Sequence, residues 1–236
     1  MKRTLCVIAL LSLAVQSFGQ KVDVSVFASA NFSHYTGNYP TATTFIGPSN
    51  LGGSTIDTRE NNPYGNKYTF GNSFGVQAQY VSKQSIIGGL EVGLDRLISK
   101  VHVDEQRGAY PMTSPFDATS KFTKLFFNIN PYLGYRLAFS NIRADLMPGV
   151  DIGLNISSHK KVRSAGDENI YLTDETTENT PADFRLRFGS AFYYKRIGLT
   201  ASYSRGLKNY VSITKGSETA EARSELIRFG LIYNVY

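Results

Sequence analysis

The sequence predicts an all-β protein: a single eight-stranded antiparallel transmembrane β-barrel with long outside loops and short periplasmic turns. Three observations predict it. Eight segments alternate apolar and polar residues at period two, the signature of strands with two unlike faces. Most are long enough to cross a bilayer at a tilt, which takes about 9–11 residues per strand. The connections between them alternate strictly between long and short, as in outer-membrane barrels, whereas a soluble sandwich has no reason to keep that asymmetry.

Residues 1–19 read as a secretory signal peptide. Lys2 and Arg3 form a basic start, Leu5 to Val15 an apolar run, and Ser17 and Gly19 supply small residues for cleavage. The run is shorter than the roughly 20 residues a membrane helix needs. Cleavage after Gly19 leaves residues 20–236 as the barrel. The single cysteine, Cys6, leaves with the signal, so no disulfide or thiolate chemistry is expected in the mature chain. Removing Lys2 and Arg3 takes the formal charge from +6 to +4. No block of Lys and Arg interleaves with aromatics, so no nucleic acid partner is expected. Tyr and Phe, 15 of each, carry the aromatic content without any Trp.

The elements follow in order. Val22–Phe32 sets Val22, Val24, Val26, Ala28, Ala30 and Phe32 against Asp23, Ser25, Phe27, Ser29 and Asn31. Thr69–Val81 sets Phe70, Phe74, Val76, Ala78 and Tyr80 against Ser73, Gly75, Gln77 and Gln79. Ser85–Ser99, Lys124–Leu137 and Ile142–Ile156 repeat the design, as do Asp183–Tyr194 and Ile197–Gly206. Arg223–Tyr236 closes the chain with Ile227, Phe229, Leu231, Tyr233 and Val235 toward lipid, and pairing it with Val22–Phe32 would remove both sheet edges. Ser33–Tyr68, Lys100–Phe122, Ser157–Ala182 and Leu207–Ser224 are the long connections; Ser82–Gln84, Ala138–Asn141 and Lys195–Arg196 are the short ones. Pro131 and Pro148 sit inside strands, where each removes a ladder donor. Hairpin counting sets them roughly opposite one another and predicts a bulge or a loosened patch.

The chain resembles the Bacteroidota outer-membrane β-barrel family of PorT type. The resemblance rests on Asn130-Pro131-Tyr132-Leu133-Gly134-Tyr135, on Met147-Pro148-Gly149-Val150, and on the Tyr-Ser-x-Gly-Leu pattern within residues 201–209. Arg228, Gly230, Tyr233 and Val235 are similar to the signal by which the barrel-assembly machinery recognises its substrates, although Tyr236 follows it here. The resemblance implies an outer-membrane location with both termini periplasmic. For some members it also implies an accessory role in protein secretion.

The inward parity collects Lys124, Arg136, Arg143, Arg185, Arg187 and Arg228 with Glu91, Asp95, Asp145 and Asp151. An eight-stranded barrel is just wide enough for its own side chains, so these charges are expected to pair into a plug. A narrow pore is the competing reading, and with six bases to four acids it would lean toward anions. Arg96 and Arg205 fall on the lipid-facing parity near the outer rim, where a guanidinium can meet the phosphates of outer-membrane lipid. His34, His102 and His159 lie in or beside outside loops without metal-ligand spacing, and no nucleophile motif is present. No cofactor, metal or enzymatic activity is expected. The long loops carry Tyr39, Phe45 and Tyr64 among Gly, Asn and Thr, a composition suited to holding a protein or glycan ligand. The expected role is that of a non-enzymatic surface scaffold or binding protein acting through those loops.

Overall fold

The computed structural model describes residues 22–48, 58–107, 113–164, 171–177, 182–211, 214–215 and 218–236. The expected signal peptide and its cleavage point lie outside them. Eight long strands carry the architecture: β1 (Val22–Thr36), β2 (Thr69–Val81), β3 (Ile86–Arg107), β4 (Thr113–Phe139), β5 (Ile142–Ser164), β6 (Asp183–Tyr194), β7 (Ile197–Gly206) and β8 (Arg223–Asn234). Each pairs antiparallel with its neighbours in sequence. β1 pairs with β8 from Ser25↔Asn234 to Thr36↔Arg223, and the ring closes. Closure leaves the eight strands no free edge along their paired length.

Alternation decides which way each residue points. Val24, Val26, Phe70, Phe74, Val76, Leu133, Leu186, Phe192, Leu199, Phe229 and Leu231 stand exposed on the outer wall, while Ser25, Asn31, Gln77, Asp145 and Asp151 are buried inside. An apolar exterior wrapped around a polar interior inverts a water-soluble protein, and is stable only with hydrocarbon outside. Tyr80, Tyr135, Tyr194 and Tyr233 lie near the short-turn end of this band, and Tyr68 and Tyr203 near the other, at the heights that suit amphipathic rings.

The turns at one end are tight. Ser140-Asn141 and Lys195-Arg196 join their strands in two residues, and Ser85, Ser140 and Lys195 take positive φ (64°, 52° and 56°) to reverse the chain. Both ends of the described chain lie here, where the Val24 N–H donates to the Tyr236 carbonyl at 2.9 Å.

At the other end the structure corrects two expectations. Lys100–Phe122 and Ser157–Ala182 are not mainly loop: β3, β4 and β5 run on well past the apolar band. Alternation continues there with Val103, Ala118 and Val162 turned inward, and Ile46 of the strand Thr43–Pro48 packs onto them. That strand runs parallel to β3 and hairpins to Thr58–Glu60, while Tyr171–Thr177 folds back on β5. The prolines lie roughly opposite one another, as hairpin counting sets them, in a loosened patch of the ladder. Tyr132 pairs with Gly149, so Pro131 and Pro148 flank that pair diagonally, and the β4–β5 ladder is broken around it. The register shift of that pair of strands lies elsewhere, at Leu125/Phe126.

Phe27 is an apolar residue on the polar parity of β1. It reaches into the lumen over Gly75, where an added Cβ would lie 2.8 Å from its ring and 2.3 Å from the Val92 carbonyl oxygen. Glycine is required there because ring and backbone already occupy the space of a side chain.

Candidate functional site

Three layers of charge fill the lumen. Nearest the tight turns, Arg136 grips Asp145 through two parallel bonds, Nε to Oδ1 and Nη2 to Oδ2, each 2.8 Å. Its Nη1 donates to Asp23 at 2.7 Å, and Arg143 approaches the same Asp23 oxygen at 3.3 Å. Gln79 completes the layer by donating to Asp145 at 3.1 Å. Above it, Ile87, Tyr132, Met147, Ala191, Tyr193 and Ile232 form an apolar belt that Phe27 joins.

The second layer links Glu91, Arg187, Asp151, Arg228 and Asp95. Arg187 Nη1 lies 2.6 Å from Glu91 and 3.3 Å from Asp151. Arg228 donates from Nη2 to Asp151 at 2.9 Å and also to Asp95, which Asn128 meets as well. Ser204 bridges the layer, accepting from Arg228 at 2.7 Å and donating to Asp151 at 2.8 Å. A cavity of about 30 Å³ between these groups has room for about one or two waters.

In the third layer Arg185, fully buried, donates to Asp183 at 2.6 Å, and Ser224 donates to the same carboxylate at 3.0 Å. Lys124 rises from here into a ring of aromatics. Its Nζ lies 4.0 Å from the centroid of Tyr210, 4.9 Å from Phe122, 5.7 Å from Tyr64 and 5.9 Å from Tyr35. Ring faces hold a desolvated ammonium through their quadrupoles.

All ten charges placed inward by parity therefore face the lumen. Two further acids, Asp23 and Asp183 at strand ends, are buried with them. Asp23 was visible as a polar-parity residue of the first segment. Asp183 was equally visible, on the parity of Arg185 and Arg187. With them, six acids meet these six bases in the three layers, and the surplus within the expected set disappears; Lys160, also buried on the inward parity of β5, lies above them at the level of Phe122. Burial without partners would be prohibitive, so balance is what the wall can tolerate.

The mouth is an aromatic lid on this stack. Tyr35, Tyr39, Tyr64, Phe122 and Tyr210 meet at centroid distances of 4.9–6.3 Å, mostly edge to face. Burial first, then the neighbouring Tyr39, pushes the Tyr64 phenol up to about 12. Tyr64 thus serves as internal packing and not as an exposed anchor. Asn209 fixes the segment below, donating to the Ala220 carbonyl at 2.7 Å and accepting from the amides of Val211 and Ala222 at 3.1 and 2.8 Å.

Beside the lid lies a cavity of about 420 Å³ lined by Asn38, Tyr39, Thr43, Thr44, Phe45 and Asn61 among others, and none of the described lining residues is charged. Tyr39 donates its hydroxyl to the Asn61 carbonyl at 3.1 Å, and the Arg107 guanidinium stacks 3.6 Å from the Phe45 centroid.

The remaining sites lie apart. Arg96 and Arg205 are exposed on the outer wall; Arg205 is 3.7 Å from Glu225, which also lies 3.2 Å from His34. The histidines are on strands and not in loops: His34 on β1, His102 on β3, 3.7 Å from Asp117, and His159 on β5. Glu105 pairs with Arg107 at 3.1 Å, and among the described residues no three metal-ligating side chains gather. In β8, Arg228 points into the lumen, Tyr233 points out with the exposed Val235 just past the strand, and Gly230 meets Ser29 across the seam.

No protein-family model matches the chain, and no curated protein does. Among solved structures it is similar to the Neisserial surface protein A, with 13% identity over 91% of this chain and 99% of that one and a TM-score of 0.39. It is also similar to the attachment invasion locus protein Ail of Yersinia pestis in complex with the heparin analogue sucrose octasulfate, with 10% identity over 91% and 99% and a TM-score of 0.37. Likenesses this distant carry no argument about role. The strand register and the inside-out burial stand without them, and they make the chain an eight-stranded transmembrane β-barrel with a charge-filled lumen.

Proposed function

We propose that this is a non-enzymatic outer-membrane protein with periplasmic termini, a closed lumen, and a binding site for a neutral saccharide at the long-loop end. One contrast carries the reading. The void among the second-layer charges is about 30 Å³, whereas the mouth holds a cavity of about 420 Å³, within the range of small-ligand sites. Its described lining of amides, hydroxyls and two aromatic rings, uncharged among the described residues, suits the hydroxyl edges and C–H faces of a sugar.

The test is binding of purified, bilayer-reconstituted protein to an array of neutral oligosaccharides, with Tyr39→Ala and Asn61→Ala as variants. Binding that falls at least tenfold in both supports the site. No binding, or binding indifferent to both, rejects it. Planar-bilayer recording tests the closed lumen, and a stable conductance of porin size would sink it. Turnover of any substrate abolished by His159→Ala would overturn the non-enzymatic reading. The motifs resembling PorT-type proteins support a narrower version, in which the ligand is a component of a secretion system. Crosslinking in the native membrane, followed by identification of the attached protein, tests that version.

A further inference from the structure

The outer wall over β6, β7 and β8 carries a hollow and, higher on the same strand, a guanidinium. Ser190 of β6 pairs with Ala201 of β7, which sets two small outward residues side by side. Phe192 and Leu199 stand one outward step below them, Phe188 and Tyr203 one step above, and Phe229 closes the β8 side. The Ser190 hydroxyl donates to the Ala201 carbonyl at 3.4 Å, so the one polar group of the floor is occupied. The hollow measures about 500 Å³ and is lined by Phe192, Leu199, Ala201, Phe229, Gly230 and Leu231 among others.

Arg205 shares the outward parity of Leu199, Ala201 and Tyr203. It lies four residues above Ala201, about 13 Å farther along the strand. Its side chain is 62% exposed. It is set into the margin of the apolar band: Leu186 pairs with it on β6 and Leu207 follows it, both exposed, while Glu225 pairs with it on β8. Glu225 does not satisfy it. One carboxylate oxygen lies 3.2 Å from His34 Nε2, and the other stands 3.7 Å from the Arg205 Nε, beyond hydrogen-bond reach. Among the described residues the guanidinium donates no hydrogen bond.

An ionised side chain on the lipid face of a barrel is tolerated where it can reach the headgroups. A guanidinium there matches phosphate in charge and in the geometry of its N–H fork. A lipid whose phosphate meets Arg205 runs its chains down the same wall, and about 13 Å lower they cross the hollow between Phe192 and Phe229.

We propose that Arg205 and the hollow around Ala201 form one site for a membrane phospholipid in the leaflet on the long-loop side. The phosphate lies at the guanidinium and an acyl chain fills the hollow. The site rests on the transmembrane reading of the barrel and is independent of the saccharide cavity.

The test uses full-length protein in a neutral detergent. Native mass spectrometry would measure occupancy by dipalmitoylphosphatidylethanolamine and by dipalmitoylglycerol, which lacks the phosphate. Wild type is expected to hold the phospholipid about tenfold more tightly, the worth of hydrogen bonds to a charged group. Arg205→Gln should bring the phospholipid down to the level of dipalmitoylglycerol. Ala201→Phe fills the hollow from outside and should weaken both lipids about fivefold, with Ala201→Leu as the milder change should the first not fold. Equal binding of the two lipids, an unchanged preference in folded Arg205→Gln, or unchanged binding in a folded hollow-filling variant overturns the proposal. So does complete displacement of the phospholipid by inorganic phosphate, which would mark a soluble-anion site. A wild-type dimer that Ala201→Phe separates into monomers would give the hollow to a second copy of the chain, and also overturns it.

Discussion

Replacing Arg136 by Met should be among the most damaging single changes in the lumen. The guanidinium forks Asp145 at 2.8 Å on both oxygens and reaches Asp23 at 2.7 Å, in a layer where Asp145 is fully buried and Asp23 nearly so. Met fills most of the same volume, so the loss is electrostatic and not a cavity. Asp23 keeps Arg143 at 3.3 Å, but Asp145 is left with Gln79 alone. Breaking a buried ion pair by removing one partner costs about 3–5 kcal/mol. Removing the orphan as well, in Arg136→Met/Asp145→Leu, exchanges the pair for apolar packing and should recover all but about 1–2 kcal/mol of that loss. Reversible urea unfolding in lipid vesicles, followed by far-ultraviolet circular dichroism, measures both. A single variant costing less than about 1 kcal/mol, or a double variant no better than the single, would refute the idea that charge balance holds this layer together.

Gly75→Ala forces a methyl within 2.3 Å of the Val92 carbonyl oxygen and 2.8 Å of the Phe27 ring, and should cost about 1–3 kcal/mol in the same unfolding assay. Asn209→Ala removes three hydrogen bonds from the segment between β7 and β8, and amide hydrogen exchange there should rise at least tenfold while the barrel strands stay protected. The Tyr64 phenol, with its pKa pushed up to about 12, keeps its proton in the folded mouth where a free tyrosine has lost it. Its contribution is therefore whole below pH 10 and falls as pH rises from about 10 to 12. Protease sensitivity of the mouth should increase across that window, and less so in Tyr64→Phe.

Much of the barrel was legible because a strand's period of two leaves no freedom: once Val24 and Val26 face lipid, Asp23 and Ser25 must face inward. The same rule placed the lumen charges. It failed where an inward residue was apolar, as with Phe27, whose only signal was glycine on the neighbouring strands at 75 and 93. It also stopped too early on β3–β5. Beyond the lipid, Val103, Ala118 and Val162 are packed by Ile46 from a distant part of the chain, a contact that no local pattern announces. Tyr64 departs from its sequence pattern for a related reason: an aromatic amid Gly and Asn suits a surface loop, and only the fold brings Tyr35, Phe122 and Tyr210 around it.

The wall of this barrel is uneven. β3, β4 and β5 hold 22, 27 and 23 residues, while β6, β7 and β8 hold 12, 10 and 12. About ten extra residues carry a strand roughly 30 Å farther along its own axis. The long side therefore stands as a screen above the membrane and the short side as a low sill. On the sill the mouth is covered by the segment that carries Tyr210 and Ala222 and not by strand wall, so a molecule diffusing in the plane of the membrane meets a different surface on each side. Anything bound above this barrel is presented in one direction, fixed by the strand lengths before any loop makes contact.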